Sequence, residues 1–172
     1  MPSREDLGTA FDIVHYEARM LRHTSQLLAS GALGDGALRN AVLESFLIHA
    51  RGLDDFFYRD RQWSDDLLAG DFIVAPSSWV QVRPAKPQEL QDVRERTGKE
   101  IAHLTYKRTP GVAIEKEWPF VAIRDALESV FEAFLTHVDR NALGDRLQAF
   151  TPGQTTVGSF LGVTIVNAST NL

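Results

Sequence analysis

Apolar residues recur at three- and four-residue steps over four long stretches of this chain. Over Arg4–Ser30 the repeat is Leu7, Phe11, Val14, Ala18, Leu21, Ser25 and Leu28, which is the stripe of an amphipathic helix. Ser3 followed by Asp6 resembles a capping box, and Gly31 and Gly34 can end the helix. A second helix is expected over Gly36–Arg61, with Asp35 as its N-cap. Val42, Phe46, His49, Leu53 and Phe56 line one side of it. Leu43, Leu47, Ala50 and Phe57 widen that side into a broad buried face. A third helix is expected over Pro87–Lys107, where Leu90, Val93, Thr97, Ile101 and Leu104 form the stripe. Pro87 suits the first helical position, and Thr109-Pro110-Gly111 stops the helix. A fourth is expected over Pro119–Ala142, with Phe120, Ile123, Leu127, Val130, Phe131, Phe134 and Val138 inward and Gly144 as its cap.

Four amphipathic helices with no strand pattern between them predict an all-α, up-and-down four-helix bundle over residues 1–150. The second and third helices are joined by a long loop, Gln62 to Lys86. Within it, Asp71–Val74 and Trp79–Val82 read as short extended pieces. A connection of that length packs over the bundle or carries function. Residues 151–172 contain no charged side chain and are rich in Thr, Gly, Ser and Asn. They read as a flexible tail or as a short strand at Val163–Val166.

Composition narrows the function classes. The 172 residues suit one domain, and 44% hydrophobic residues suffice for a core. The net charge of -5 argues against a long basic groove for nucleic acid, so any RNA contact must use a local or shared patch. The chain has no cysteine, so disulfides and thiolate metal sites are excluded. No apolar run of membrane-spanning length is present and the N-terminus is charged, so the expectation is a cytoplasmic protein with no membrane partner.

The candidate chemistry centres on Arg96 and His103. Seven steps of about 100° return to within about 20° of the start, so the two share one face of an ideal α-helix. Glu100 and Lys107 lie near the same line, and Arg94 falls on the other flank. A neutral histidine can move a proton, and an arginine can hold a phosphate in a bidentate fork. Such a pair, six residues between Arg96 and His103, resembles the Arg-x4–6-His signature of the HEPN superfamily. That resemblance implies a homodimer with a composite, metal-independent endoribonuclease site. The members are often toxins or phage-defence proteins. It makes Arg96 the phosphate clamp and His103 the proton-transfer group. The residue after the arginine departs from the usual Asn, Asp or His: it is Thr97, on the apolar stripe. The stretches Glu44–Phe57, Ile101–Arg108 and Trp118-Pro119-Phe120 also resemble a family of small uncharacterised bacterial proteins, which implies no particular activity.

On the second helix, Glu44 and Arg51 are supporting candidates that could orient His103. Arg51 with Asp55 also has the spacing of a local ion pair. His49 reads as a hydrogen-bonded core histidine. A di-iron bundle needs repeated Glu-x-x-His, and only one copy, Glu100 to His103, is present; a mononuclear histidine-metal bundle in which His49, His103 and His137 converge is a third alternative, ranked below a site with no cofactor or metal. Asp54, Asp55, Asp60, Asp65, Asp66 and Asp71 read as a solvated acidic face, with Asp65 and Asp66 capping a turn. The competing reading is a non-catalytic interaction module, such as an antitoxin, an adaptor or a subunit of a complex. The acidic balance and the long loop with Trp63, Phe72 and Trp79 support it.

Overall fold

The computed structural model describes residues 4–74, 78–102, 106 and 118–147. These residues are mostly helical, and no strand runs through them; Ile73 and Val138 form one isolated antiparallel bridge. The two longest helices are α1 (Arg4–Ala29) and α2 (Ala37–Tyr58). Gly31 (φ 69°) and Gly34 (φ 57°) turn the chain between them in the left-handed region, where a side chain would be strained. The expected cap Asp35 is not used: α2 starts after Gly36, and no side chain caps it.

Every inward position of the α1 stripe from Phe11 to Leu28 is buried. On α2 the broad face is likewise buried, Phe46, Leu47, Ala50, Leu53, Phe56 and Phe57 included. α1 and α2 pack along each other, and Arg22 of α1 also forms a bidentate ion pair with Glu128. Glu128 belongs to the long helix near the C-terminus, Phe120–Leu135, which packs on both α1 and α2.

The long loop is built into the core. It contains a 3-10 turn, Ala69–Phe72, and a single helical turn, α3 (Trp79–Val82). Phe72 and Trp79 are 2% and 3% exposed, so neither is available to an outside partner; Trp63 is 69% exposed. Trp79–Val82 is helical where an extended piece was expected, because the backbone turns to seat the indole. The indole donates a 2.7 Å hydrogen bond to the Phe57 carbonyl near the end of α2. The Asp71–Val74 segment is extended at its end, and Phe72 accepts from the Asp139 amide at 2.8 Å. Around this point Phe11, Phe56, Phe57, Phe72, Phe131, Phe134 and Trp79 make a mesh of mostly edge-to-face contacts at centroid separations of 4.9 to 6.1 Å.

The third expected helix is broken. A 3-10 turn, Gln88–Leu90, follows Pro87; then comes α4 (Val93–Arg96), which runs into a π-helix, Thr97–Ala102. Leu90, Val93 and Thr97 are still buried, so the inward stripe holds although the helical geometry does not. The fourth expected helix is shorter than its pattern. α5 (Phe120–Leu135) stops at Thr136, whose hydroxyl bonds back to the Ala133 carbonyl at 2.7 Å. A separate turn, α6 (Arg140–Leu143), follows, and Gly144 ends that turn rather than the long helix. His103, Leu104, Lys107 and the whole of 151–172 lie outside the described residues.

Candidate functional site

Arg96 is the most constrained charged side chain of the sequence-derived site. It ends α4, where the inward stripe carries it to the edge of the packed face. Its side chain is only 19% exposed. Nε donates to Glu100 Oε1 at 2.9 Å and Nη2 to Oε2 at 3.1 Å. The guanidinium carbon lies 3.8 Å from the centre of the Trp118 ring. An arginine over an indole gains a cation–π attraction of about 0.5–2 kcal/mol, larger as water is excluded. The charged fork is thus held between the Glu100 carboxylate and the Trp118 ring.

Around it the neighbours sort by flank. Arg94 points to α2 and reaches Asp55 at 3.2 Å, as its separate helical phase requires. Glu95 pairs with Lys99 on the solvent side. Thr97 is 2% exposed and its hydroxyl has no hydrogen-bond partner among the described residues. It therefore packs, as its place on the stripe implies, and is no polar helper to Arg96.

Of the expected site residues, the structure brings Glu100 to Arg96. Glu44 is exposed on α2. Arg51 makes a loose 3.9 Å ion pair with Asp55 on its own helix. His103 and Lys107 fall outside the described residues. A π-helix also lies between Arg96 and the position of His103. Seven residues make about two turns only at 3.6 residues per turn. The π-helix over Thr97–Ala102 closes its bonds five residues on and spreads each turn over more residues, so that count does not carry across it.

The histidines are dispersed. His49 is buried, donates from Nδ1 to the Glu17 carboxylate at 2.7 Å, and stands edge-on to Tyr16 at 5.8 Å. It is the bonded core histidine that its position on α2 predicts. His137 is exposed, with Nδ1 near the Ala133 carbonyl and Thr136. His15 and His23 on α1 are pushed below the ordinary histidine range, first by burial and then by the positive charge of Arg19 and Arg22. Among the described residues no cluster of three or more His, Asp or Glu side chains could hold a metal.

The acidic run is not a uniform solvated face. Asp54 is 2% exposed and paired to Lys86, whose Nζ lies 2.7 Å from Oδ1. Burial raises the Asp54 carboxyl and Lys86 opposes the rise. Asp66 does cap a turn, accepting from the amides of Gln62 and Trp63 at 2.7 and 2.9 Å, which lowers its carboxyl. A cleft of about 280 Å³ opens beside the end of α2, with Arg59, Arg61 and Arg83 on its rim and Trp79 in its floor.

Two features had no local sequence signal. The Trp118 platform is separated from Arg96 by 22 positions, and no periodicity links them. The Glu17 partner of His49 lies on another helix; only its place one step from the α1 stripe could have suggested it. Comparison with known proteins adds nothing to these assignments: no family model, no curated protein and no solved structure matches the chain.

Proposed function

We propose that this chain is a HEPN-like helical protein that acts as a homodimer and cleaves RNA without a metal, using Arg96 and His103. The proposal takes α1, α2, the α4–π-helix segment and α5 as the four members of an up-and-down bundle. What carries it is Arg96: a half-buried guanidinium held 3.8 Å from the centre of the Trp118 ring and paired to Glu100. Pre-orientation of this kind is what a phosphate clamp needs, because the fork loses little freedom when an anion arrives. In the proposed chemistry His103 of one copy takes the proton of the ribose 2′-hydroxyl, the 2′-oxygen bonds to phosphorus as the P–O5′ bond breaks to leave a 2′,3′-cyclic phosphate, and the protonated His103 of the second copy gives its proton to the leaving 5′-oxygen. Arg96 stabilises the charge that develops on the phosphate oxygens. A phosphate competes with Glu100 for the Nε–Nη2 edge, which makes Glu100 a brake on the site.

Arg96→Ala and His103→Ala are each expected to abolish cleavage of a fluorogenic RNA. Glu100→Gln is expected to lower KM by releasing the fork. RNA that stays intact with the wild-type dimer, or that either alanine variant cuts as fast as the wild type does, ends the nuclease reading.

The second reading, a non-catalytic interaction module, is favoured by the same ion pair: Glu100 already neutralises Arg96. On that reading Glu100→Gln changes stability and nothing else. Toxin, antitoxin and phage-defence roles, and a cytoplasmic location, belong to these two proposals.

A further inference from the structure

α2 carries a second face that its own core does not use. Leu38, Ala41, Ser45, Ile48 and Gly52 follow one another at steps of three, four, three and four. That alternation is the seam spacing of two helices packed along each other. Leu38 is 62% exposed and Ile48 59%. Ala41 and Gly52 are exposed and Ser45 is half-buried. Single exposed apolar side chains are ordinary. A stripe that alternates large apolar residues with ones small enough for close backbone approach, opposite a complete core face, is not.

The charges along the stripe choose its occupant. Glu44 and Arg51 lie seven residues apart, so they share one edge of the seam, with Ile48 beside their midpoint. Glu44 is exposed, and the Arg51 side chain is 37% exposed with, among the described residues, a loose 3.9 Å pair to Asp55. On the other edge Glu17 lies beside Gly52, but its carboxylate is engaged by His49. A second α2 running antiparallel about a two-fold axis at Ile48 sets Ile48 on its copy. It also sets Glu44 opposite the copy's Arg51, and Arg51 opposite the copy's Glu44. The same axis sets Ser45 against Gly52, where little side chain intervenes. In a parallel pair the two-fold runs along the helices and carries the Glu44–Arg51 edge across from the copy's Val42 and His49 edge, so neither charge meets its complement. The pattern is self-complementary in one orientation only, which is the requirement of a two-fold interface.

We infer that the exposed face of α2 docks a second copy of this chain, antiparallel and centred on Ile48. This gives a surface to the homodimer of the proposed function and rests on that reading only for its purpose. From Leu38 to Gly52 the seam is about 21 Å long at about 1.5 Å per residue. One helix face of that length buries less than the roughly 800 Å² per partner of a standard interface, so the dimer is expected to be reversible, in the micromolar range.

Sedimentation velocity of the full chain from low to several hundred micromolar tests it. The wild type is expected to shift from monomer to dimer across that range. Ile48→Glu, at an exposed position, is expected to stay monomeric with an unchanged helical circular dichroism spectrum and Tm. Glu44→Arg and Arg51→Glu are each expected to weaken the dimer about tenfold, and the two combined to restore it. A wild type that is monomeric throughout, a dimer that survives Ile48→Glu, or a double variant no better than either single one overturns the inference. A wild type that dimerises through α2 yet leaves RNA intact sinks the nuclease and keeps the seam. Active enzyme whose dimer survives Ile48→Glu does the reverse.

Discussion

Single side chains show where sequence pattern suffices and where it does not. Thr97 sits on the stripe between Val93 and Ile101, and its burial follows from that position. Its unpartnered hydroxyl is a cost, because a buried donor without an acceptor forgoes about 1–3 kcal/mol. Thr97→Val keeps the shape and removes the hydroxyl; the expected result is unchanged or higher stability by about 1 kcal/mol in urea melts. Arg96 could be placed at the edge of the packed face by phase alone, but its platform could not. Trp118 is brought to it by tertiary packing that no local repeat encodes. His15 and His23 give a pH prediction. Both are held below the ordinary histidine range in the folded chain, so the unfolded chain takes up more protons as pH falls through about 6.5. Their contribution is therefore present above that pH and is lost on acidification. Thermal melts between pH 8 and 5 should show Tm falling, and the fall should shrink in the double variant His15→Gln, His23→Gln.

The elements themselves were legible in proportion to their regularity. α1 and α2 end within a few residues of where glycine and the apolar repeat place them. α5 starts one residue later than expected, with Pro119 as its N-cap, and it stops early at Thr136, whose hydroxyl bonds back to the last turn. The third segment kept Leu90, Val93 and Thr97 inward and lost its continuous α-helix. Gly98, with no side chain to favour helical backbone, lies inside the π-helix, and the buried Thr97 at its start is β-branched. A wheel drawn at 3.6 residues per turn cannot see a change of winding, so the residues were right and the geometry between them was not. The loop was the larger surprise. Its aromatic residues read equally well as a partner surface or as core, and hydrophobicity alone does not separate the two. Trp79→Ala removes a buried indole and its bond to the Phe57 carbonyl. The expected cost is about 3–5 kcal/mol by chemical denaturation, with the far-ultraviolet spectrum of the native state retained. Trp63→Ala, at an exposed loop position, should change stability by no more than about 0.5 kcal/mol.

For the molecule as a whole, the loop is held at its far end by one buried ion pair. Lys86 neutralises Asp54, which α2 buries on the core side. Lys86→Met leaves that carboxylate without its partner, and the expected loss is about 3 kcal/mol at pH 7. Burial raises the Asp54 carboxyl, so the folded chain holds its proton more tightly than the unfolded one does. The stability this gives is present at acid pH and is lost as pH rises through the folded value. The penalty in Lys86→Met should therefore shrink as pH falls toward the ordinary carboxylate range, in urea melts compared at pH 7 and pH 4.5. The acidic cluster read from sequence did not separate this buried carboxylate from Asp66, which caps a turn at the surface. Both are Asp in a polar run, and only the three-dimensional neighbourhood tells them apart.

The three tryptophans occupy three different surroundings: Trp63 in water, Trp79 in the aromatic mesh, and Trp118 beneath the guanidinium of Arg96. Indole emission shifts to the blue as its surroundings become apolar, and it responds to charge placed against the ring. The chain therefore carries its own optical probes. Emission from Trp79 reports the packing of the loop. With Trp63 and Trp79 both replaced by Phe, the remaining signal comes from Trp118 and reads the occupancy of the arginine site as an anion is added, with no label attached.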